Sequence, residues 1–173
     1  MYFVKTPRLL QLIFKNAVWR IDDSDHIFLT FDDGPHPEST PRLLKLLADH
    51  GIYSTFFCSG HHIESYPDLY LSIKDAGHGI GGHGYKHLSG WKTKHVNYIK
   101  NTLKGQQLAD SDLFRPPYGK ISLKQYNELR SMLNIVMWDV MPGDFDAKVS
   151  AELLYNRILT HARKGSIIVL HDR

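Results

Sequence analysis

Cysteine is almost missing from this 173-residue chain, Cys58 being the only one. That excludes an intramolecular disulfide and any thiolate zinc cluster. Cys58, following Phe56-Phe57, reads as a small buried apolar residue. Also missing is an apolar run near the ~20 residues that span a bilayer. The nearest candidate, Leu9-Leu10-Gln11-Leu12-Ile13-Phe14, is cut short by Lys15, and no small-residue cleavage site follows it, which makes it a poor signal peptide. Charge of one sign is not concentrated either. The net charge of +3 comes from scattered Lys and Arg, without the clustered basic face that binding to phosphate backbones needs, so nucleic acid is not expected as a partner. Linkers and low-complexity tracts are absent, which leaves no boundary between domains.

What is present suffices for one core, since 42% of the residues are hydrophobic. Residues 1–26 read as an N-terminal amphipathic segment: as a helix it places Leu9, Ile13 and Ala17 on one stripe with Arg8 and Lys15 off it. Two roles fit, packing against the domain or peripheral contact with a membrane surface. From Ile27 to Arg173, short apolar runs alternate with helix-like stretches. Strands are expected at 27–31, 53–57, 78–81, 112–114, 135–138 and 166–170, and helices at 40–50, 67–76, 94–110, 123–133 and 151–164. Gly51, Gly77 and Gly165 each stand between a helix and a strand, as left-handed C-terminal caps do. Such alternation implies an α/β fold with a parallel sheet.

The residues with chemistry follow these strands: Asp32 and Asp33 the first, His83 the third, Arg115 the fourth, Asp139 and Asp144 the fifth, and His171 the sixth. In a (β/α) barrel those strand ends share one face, where active sites form. An open doubly wound sheet gathers them less completely, around its switch point. A barrel is therefore expected, although no strand follows the sixth to close it.

His83 and His87, four residues apart, are expected on one side of a helical turn, where both imidazoles reach one divalent metal. Gly79, Gly81 and Gly82 make the approach a permissive loop. One carboxylate of the Asp pair completes three protein ligands with a vacant fourth position, the arrangement of a catalytic zinc. Two adjacent carboxylates repel, so positive charge is expected beside them: the metal at one and Arg115 at the other. The division of labour that follows gives one aspartate to the metal and the other to proton transfer. In Phe114-Arg115-Pro116-Pro117-Tyr118-Gly119 two prolines stiffen a loop that aims Arg115 and a backbone N–H inward.

Thr30-Phe31-Asp32-Asp33-Gly34-Pro35, the His83/His87 pair, Arg115-Pro116-Pro117-Tyr118-Gly119, Trp138 to Asp146 and Leu170-His171-Asp172 together resemble the five ordered motifs of the polysaccharide deacetylases, carbohydrate esterase family four. The resemblance implies a deformed (β/α) barrel of about seven strands, here lacking its last helix and strand, with the catalytic domain at 27–173. It implies Asp32 as general base, with Asp33, His83 and His87 as metal ligands. Arg115 would orient the base, the Tyr118 N–H would face the oxyanion, and His171 would be the general acid tuned by Asp144. Leu170 is expected to wall the acetyl pocket, and Phe145 and Trp91 to meet the sugar. The chain departs from the pattern at Gly84, where a hydroxyl is usual, and at Phe145, where Trp is common.

The implied reaction is metal-dependent hydrolysis of N-acetyl groups on N-acetylhexosamine residues of a glycan, peptidoglycan or chitin-like. The metal would be Zn²⁺, with Co²⁺ or Ni²⁺ as alternatives. An O-acetyl esterase or a non-sugar amidase of the same fold is an alternative, as is a catalytically silent glycan-binding module stacking on Trp91, Tyr85 and Phe145. A glycan substrate suggests association with the cell envelope.

Overall fold

The computed structural model describes residues 2–22 and 25–173; Met1, Asp23 and Ser24, within the segment 1–26, lie outside the described residues. The apolar runs form six parallel strands: β1 (Phe28–Asp33), β2 (Thr55–Cys58), β3 (Gly79–Gly82), β4 (Leu113–Phe114), β5 (Asn134–Ile135) and β6 (Ile167–His171). They lie in the order β5-β4-β3-β2-β1-β6. Each is within a few residues of its expected position. β5 is shorter than expected because the chain leaves it at Val136 to serve both sheet edges. Val136 bridges to Val18, and Val140 bridges to Ile168 in parallel. Asp139 N–H donates to Ile167 O and Val169 N–H to Val140 O. The curled sheet is thus joined edge to edge by one bridge, where no closing strand was expected.

Strand alternation sorts the side chains. On β1, Phe28 packs inside the barrel with Phe57, Val136 and Ile167, whereas Leu29 and Phe31 pack outward beneath the helices. Thr30 and Asp32 share the inner face with Phe28, since a strand repeats every two residues. Register then aligns the strand ends: Asp32 is opposite His171, Asp33 opposite Cys58, and Cys58 opposite Gly82.

The helices are α1 (Arg8–Ile13), α2 (Thr40–Asp49), α3 (Gly60–Ser65), α4 (Pro67–Asp75), α5 (His95–Ala109), α6 (Leu123–Leu129) and α7 (Ala151–His161). α3 was not anticipated. α6 stops four residues early, where Ser131 Oγ donates to Glu128 O and Leu133 N–H to Leu129 O. Its start is a capping box between Ser122 and Gln125. Gly51, Gly77 and Gly165 are left-handed, with φ of 62°, 79° and 80°, as the caps require. Gly81 and Gly82 belong to β3 rather than to a loop. Their role is close packing: a Cβ on Gly81 would lie 2.5 Å from the Phe57 ring, and one on Gly82 would overlap the Gln106 amide.

The N-terminal segment departs most from expectation. α1 is only six residues long, and Leu9 and Ile13 of the expected stripe face solvent; only Ala17 is buried. The segment is instead fastened by its backbone and by Lys5. Thr6 N–H donates to Asp139 O, Met141 N–H to Val4 O, and Met137 N–H to Val18 O. Lys5 Nζ lies 2.6 Å from Asp139 Oδ2. Asp139 also accepts from Ser166 Oγ at 2.7 Å, at the entry to β6. It therefore sits at the opposite end of the sheet from the other strand-end residues, as a buried tie rather than a site residue. Among the described residues no helix is long and apolar enough to cross a membrane.

Candidate active site

A cavity of about 260 Å³ opens at the carboxyl ends of the strands, lined by Asp32, Asp33, His83, His87, Tyr118, Phe145, Val169 and His171 among others. Four strands deliver its polar groups. β1 ends on Asp32 and Asp33, His83 follows β3, Arg115 follows β4, and His171 closes β6.

Asp32 and Asp33 have separate environments. Asp32 is buried, and Arg115 Nη1 donates to its Oδ1 at 2.6 Å. Arg115 is itself fully buried, above the Phe57 ring at 4.0 Å. It also donates to Thr30 Oγ1 (2.7 Å), Met137 O (3.1 Å) and Val136 O (3.3 Å). The other carboxylate oxygen, Asp32 Oδ2, points toward His83 Nε2, 3.8 Å away.

Asp33 turns away in a left-handed conformation, φ 80°. Its Oδ1 lies 3.1 Å from His87 Nε2 and 3.7 Å from His83 Nε2. The two imidazole Nε2 atoms are 3.1 Å apart. The expected helical turn between them is absent. Gly84 (φ 73°) and His87 (φ 50°) are left-handed, so a loop brings the imidazoles together. A hydroxyl residue at position 84 would carry a Cβ at that φ, 3.0 Å from Asn101 Nδ2.

His83 Nδ1 is 2.8 Å from the Arg115 carbonyl oxygen. A carbonyl only accepts, so Nδ1 carries the proton and Nε2 the lone pair. Burial pushes the His83 pKa down to about 4, which keeps the ring neutral. Burial works to raise the Asp33 carboxyl, but the His87 hydrogen bond and the positive charge that the neighbouring imidazoles, His83 included, carry in acid outweigh it and hold Asp33 well below the ordinary carboxylate range. One ionised oxygen and two imidazole nitrogens thus converge within 4.8 Å. Three such donors fit a divalent cation with borderline-soft preferences and leave it a free coordination position.

Across the cavity His171 is gripped twice by Asp144: its Nδ1 is 2.8 Å from Oδ1, and its backbone N–H donates to Oδ2 at 2.7 Å. Burial lowers the His171 pKa. The Asp144 hydrogen bond and the charges of Asp144, Asp32 and Asp33 more than reverse this, so the imidazole holds its proton above the usual range. Phe145 packs edge-on against His171, with centroids 5.2 Å apart. Tyr118 is left-handed (φ 60°, ψ 6°), and its ring lies over His87 at 4.4 Å.

Two expected positions need correction. Leu170 does not wall the cavity. It alternates outward from His171 and packs with the cluster around Phe31 and Leu47, so Val169 occupies the wall instead. Counting back two residues from His171 along the strand would have found Val169. Trp91, 69% exposed, borders an adjoining groove rather than this cavity. Asp172, beside His171, has a structural part that its motif does not announce: it accepts from Ser39 and Thr40 hydroxyls at 2.6 Å each and so ties the start of α2 behind Asp32.

Comparison with known proteins agrees with this layout. Residues 20–134 match the model of the polysaccharide deacetylase family. A chitooligosaccharide deacetylase of Azorhizobium caulinodans is 38% identical, over 84% of this chain and 73% of its own length. A peptidoglycan-N-acetylglucosamine deacetylase of Bacillus cereus is 35% identical, over 84% of this chain and 55% of its own. A crystal structure of a peptidoglycan N-acetylglucosamine deacetylase superposes with a TM-score of 0.82 at 33% identity, covering 94% of this chain and 79% of that one. With strand ends, motifs and relatives in agreement, the chain belongs to the polysaccharide deacetylase family, hydrolases that act on carbon–nitrogen bonds.

Proposed function

We propose that this chain removes N-acetyl groups from N-acetylhexosamine units of an envelope glycan, peptidoglycan or a chitin-like oligosaccharide, with one divalent metal held by Asp33, His83 and His87. The observation that carries the proposal is the separation of roles across one cavity. A carboxylate fixed by Arg115 stands beside an Asp-His-His donor set, and a carboxylate-held imidazole stands opposite. The names of the relatives support the substrate class. Zinc suits the donor set best, with cobalt or nickel able to replace it. When bound, the ion would supply Lewis-acid activation of the nucleophilic water and the acetamide carbonyl.

The residues divide the proton transfers. Asp32 Oδ2, free of Arg115, takes a proton from the attacking water as its oxygen bonds to the carbonyl carbon. The Tyr118 N–H donates to the carbonyl oxygen as negative charge develops there. His171, its Nδ1 fixed on Asp144, gives a proton from Nε2 to the departing nitrogen as the C–N bond breaks. Acetate and a free amino sugar leave.

Acetate release from N-acetylglucosamine oligomers by protein of known zinc content tests the reaction. Absence of release from folded, zinc-loaded protein overturns it. His83→Ala or His87→Ala should reduce bound zinc from about one per chain to near zero after gel filtration, measured by atomic absorption. Full occupancy in either variant overturns the ligand assignment.

Asp144→Asn supplies a pH test. Asp144 raises the His171 pKa, and the acid must be protonated to act. Activity is therefore present below that pKa and lost as pH rises through it. Removing the carboxylate should move the alkaline limb of the kcat/KM profile to lower pH. A limb that stays in place assigns it to another group.

A further inference from the structure

All three tryptophans of the chain, Trp19, Trp91 and Trp138, line one groove of about 200 Å³ beside the catalytic cavity. The two spaces meet at Tyr2, Tyr118, Lys120 and Met141, which border both. The far wall comes from the N-terminal segment, through Phe3, Leu10 and Phe14. That wall is thus built by a part of the chain that borders the catalytic cavity only through Tyr2.

Two of its three indole N–H groups and one of its hydroxyls are engaged by the protein. Trp19 Nε1 donates to Phe14 O at 3.1 Å, Trp91 Nε1 to Ile121 O at 3.2 Å, and Thr6 Oγ1 to Trp138 O at 2.7 Å. A sugar placed there would bring many hydroxyls to a mostly apolar wall whose Trp19, Trp91 and Thr6 donors are already engaged, and unpaired polar groups are costly to bury. A charged group stands at the junction. Lys120 Nζ stands 5.7 Å from the rings of both Trp91 and Tyr118, and among the described residues no carboxylate pairs with it. At the groove's rim Phe3 is 56% exposed, and beyond it Leu9, Leu12 and Ile13 are exposed on the helix that carries Leu10. An apolar surface thus extends outward from the groove, with a cation between it and the reaction site.

Resting on the deacetylase reading, we infer that the groove holds the hydrocarbon chain of a lipid-linked substrate, joined through a phosphate at Lys120 to the acetylated sugar in the cavity. The apolar walls take the chain, the ammonium takes the anionic link, and the exposed leucines continue the path toward the lipid from which the chain comes.

The octyl and methyl phosphodiesters of N-acetylglucosamine 1-phosphate test this, because they differ only in the chain. Tryptophan fluorescence reads the groove directly, independent of turnover. Each methylene buried tightens binding about fourfold, so the octyl ester should bind at least about tenfold more tightly than the methyl ester and lower its KM in parallel. Leu10→Gln or Phe3→Gln, both at solvent-facing positions on the groove wall, should abolish that advantage while leaving turnover of the methyl ester unchanged. Equal binding of the two esters overturns the inference, as does a chain-length advantage that survives both substitutions. An N-acetylglucosamine tetramer that displaces the octyl ester and reproduces its fluorescence change also overturns it, by making the groove a sugar site. Absence of acetate release from every substrate would instead overturn the deacetylase reading, with the fluorescence titration still deciding what the groove binds.

Discussion

Asp32→Asn should lower turnover about 10²- to 10⁴-fold, the range expected for loss of a positioned acid or base, while zinc content stays at the wild-type level. The geometry separates these two outcomes. The ligand set uses Asp33, which points away from Asp32 through its left-handed backbone, so the substitution leaves the three donor atoms untouched. The amide oxygen can still accept from Arg115 Nη1, now 2.6 Å from Asp32 Oδ1, and so keeps the guanidinium in place. What disappears is the basicity of Oδ2, the oxygen that Arg115 does not occupy. Rate and metal content measured on the same preparation therefore identify the cause. A loss of both would move Asp32 into the ligand set, and a near wild-type rate with full zinc would remove it from the mechanism.

Much of this layout is legible in the sequence because strand ends and motifs coincide there. Asp32, Asp33, His83, Arg115 and His171 each end or follow an apolar run, and parallel pairing brings such ends to one face. Asp144 lies in a loop, yet its motif places it with His171, and the two are 2.8 Å apart. What the sequence hides is orientation. Asp139 follows the same apolar run as Asp144 but is drawn to Lys5 and Ser166 at the other end of the sheet. Its partner Lys5 is 134 residues distant, and no local pattern announces that. The N-terminal segment shows the same limit. Its helical periodicity predicts a packed stripe, but backbone pairing with residues 135–141 holds the segment and leaves Leu9 and Ile13 outside. Leu170 was misplaced for a different reason: a motif gives the residue type, while the alternation of β6 decides which side it takes.

Arg115→Met should destabilise the protein by about 3–5 kcal/mol, the cost of leaving one member of a buried ion pair alone. Against a total stability of about 5–15 kcal/mol for a typical domain, that is a large shift in the urea midpoint. The guanidinium is fully buried and satisfies four acceptors at once: Asp32 Oδ1, Thr30 Oγ1, Val136 O and Met137 O. Methionine fills the space over Phe57 but serves none of them. Arg115→Lys should recover only part of the loss, because an ammonium lacks the planar fork that reaches acceptors on several sides. The double substitution Asp32→Leu with Arg115→Met makes the physical cause visible. Replacing both members of a buried pair by apolar groups is often close to neutral, so the double variant should be more stable than Arg115→Met alone, held below wild type by the unpaired Thr30, Val136 and Met137 acceptors. It should remain inactive, since the base is gone. If the double variant is no more stable than the single one, the lost stability comes from those backbone and hydroxyl acceptors, and Asp32 is held in the site by something other than its charge partner.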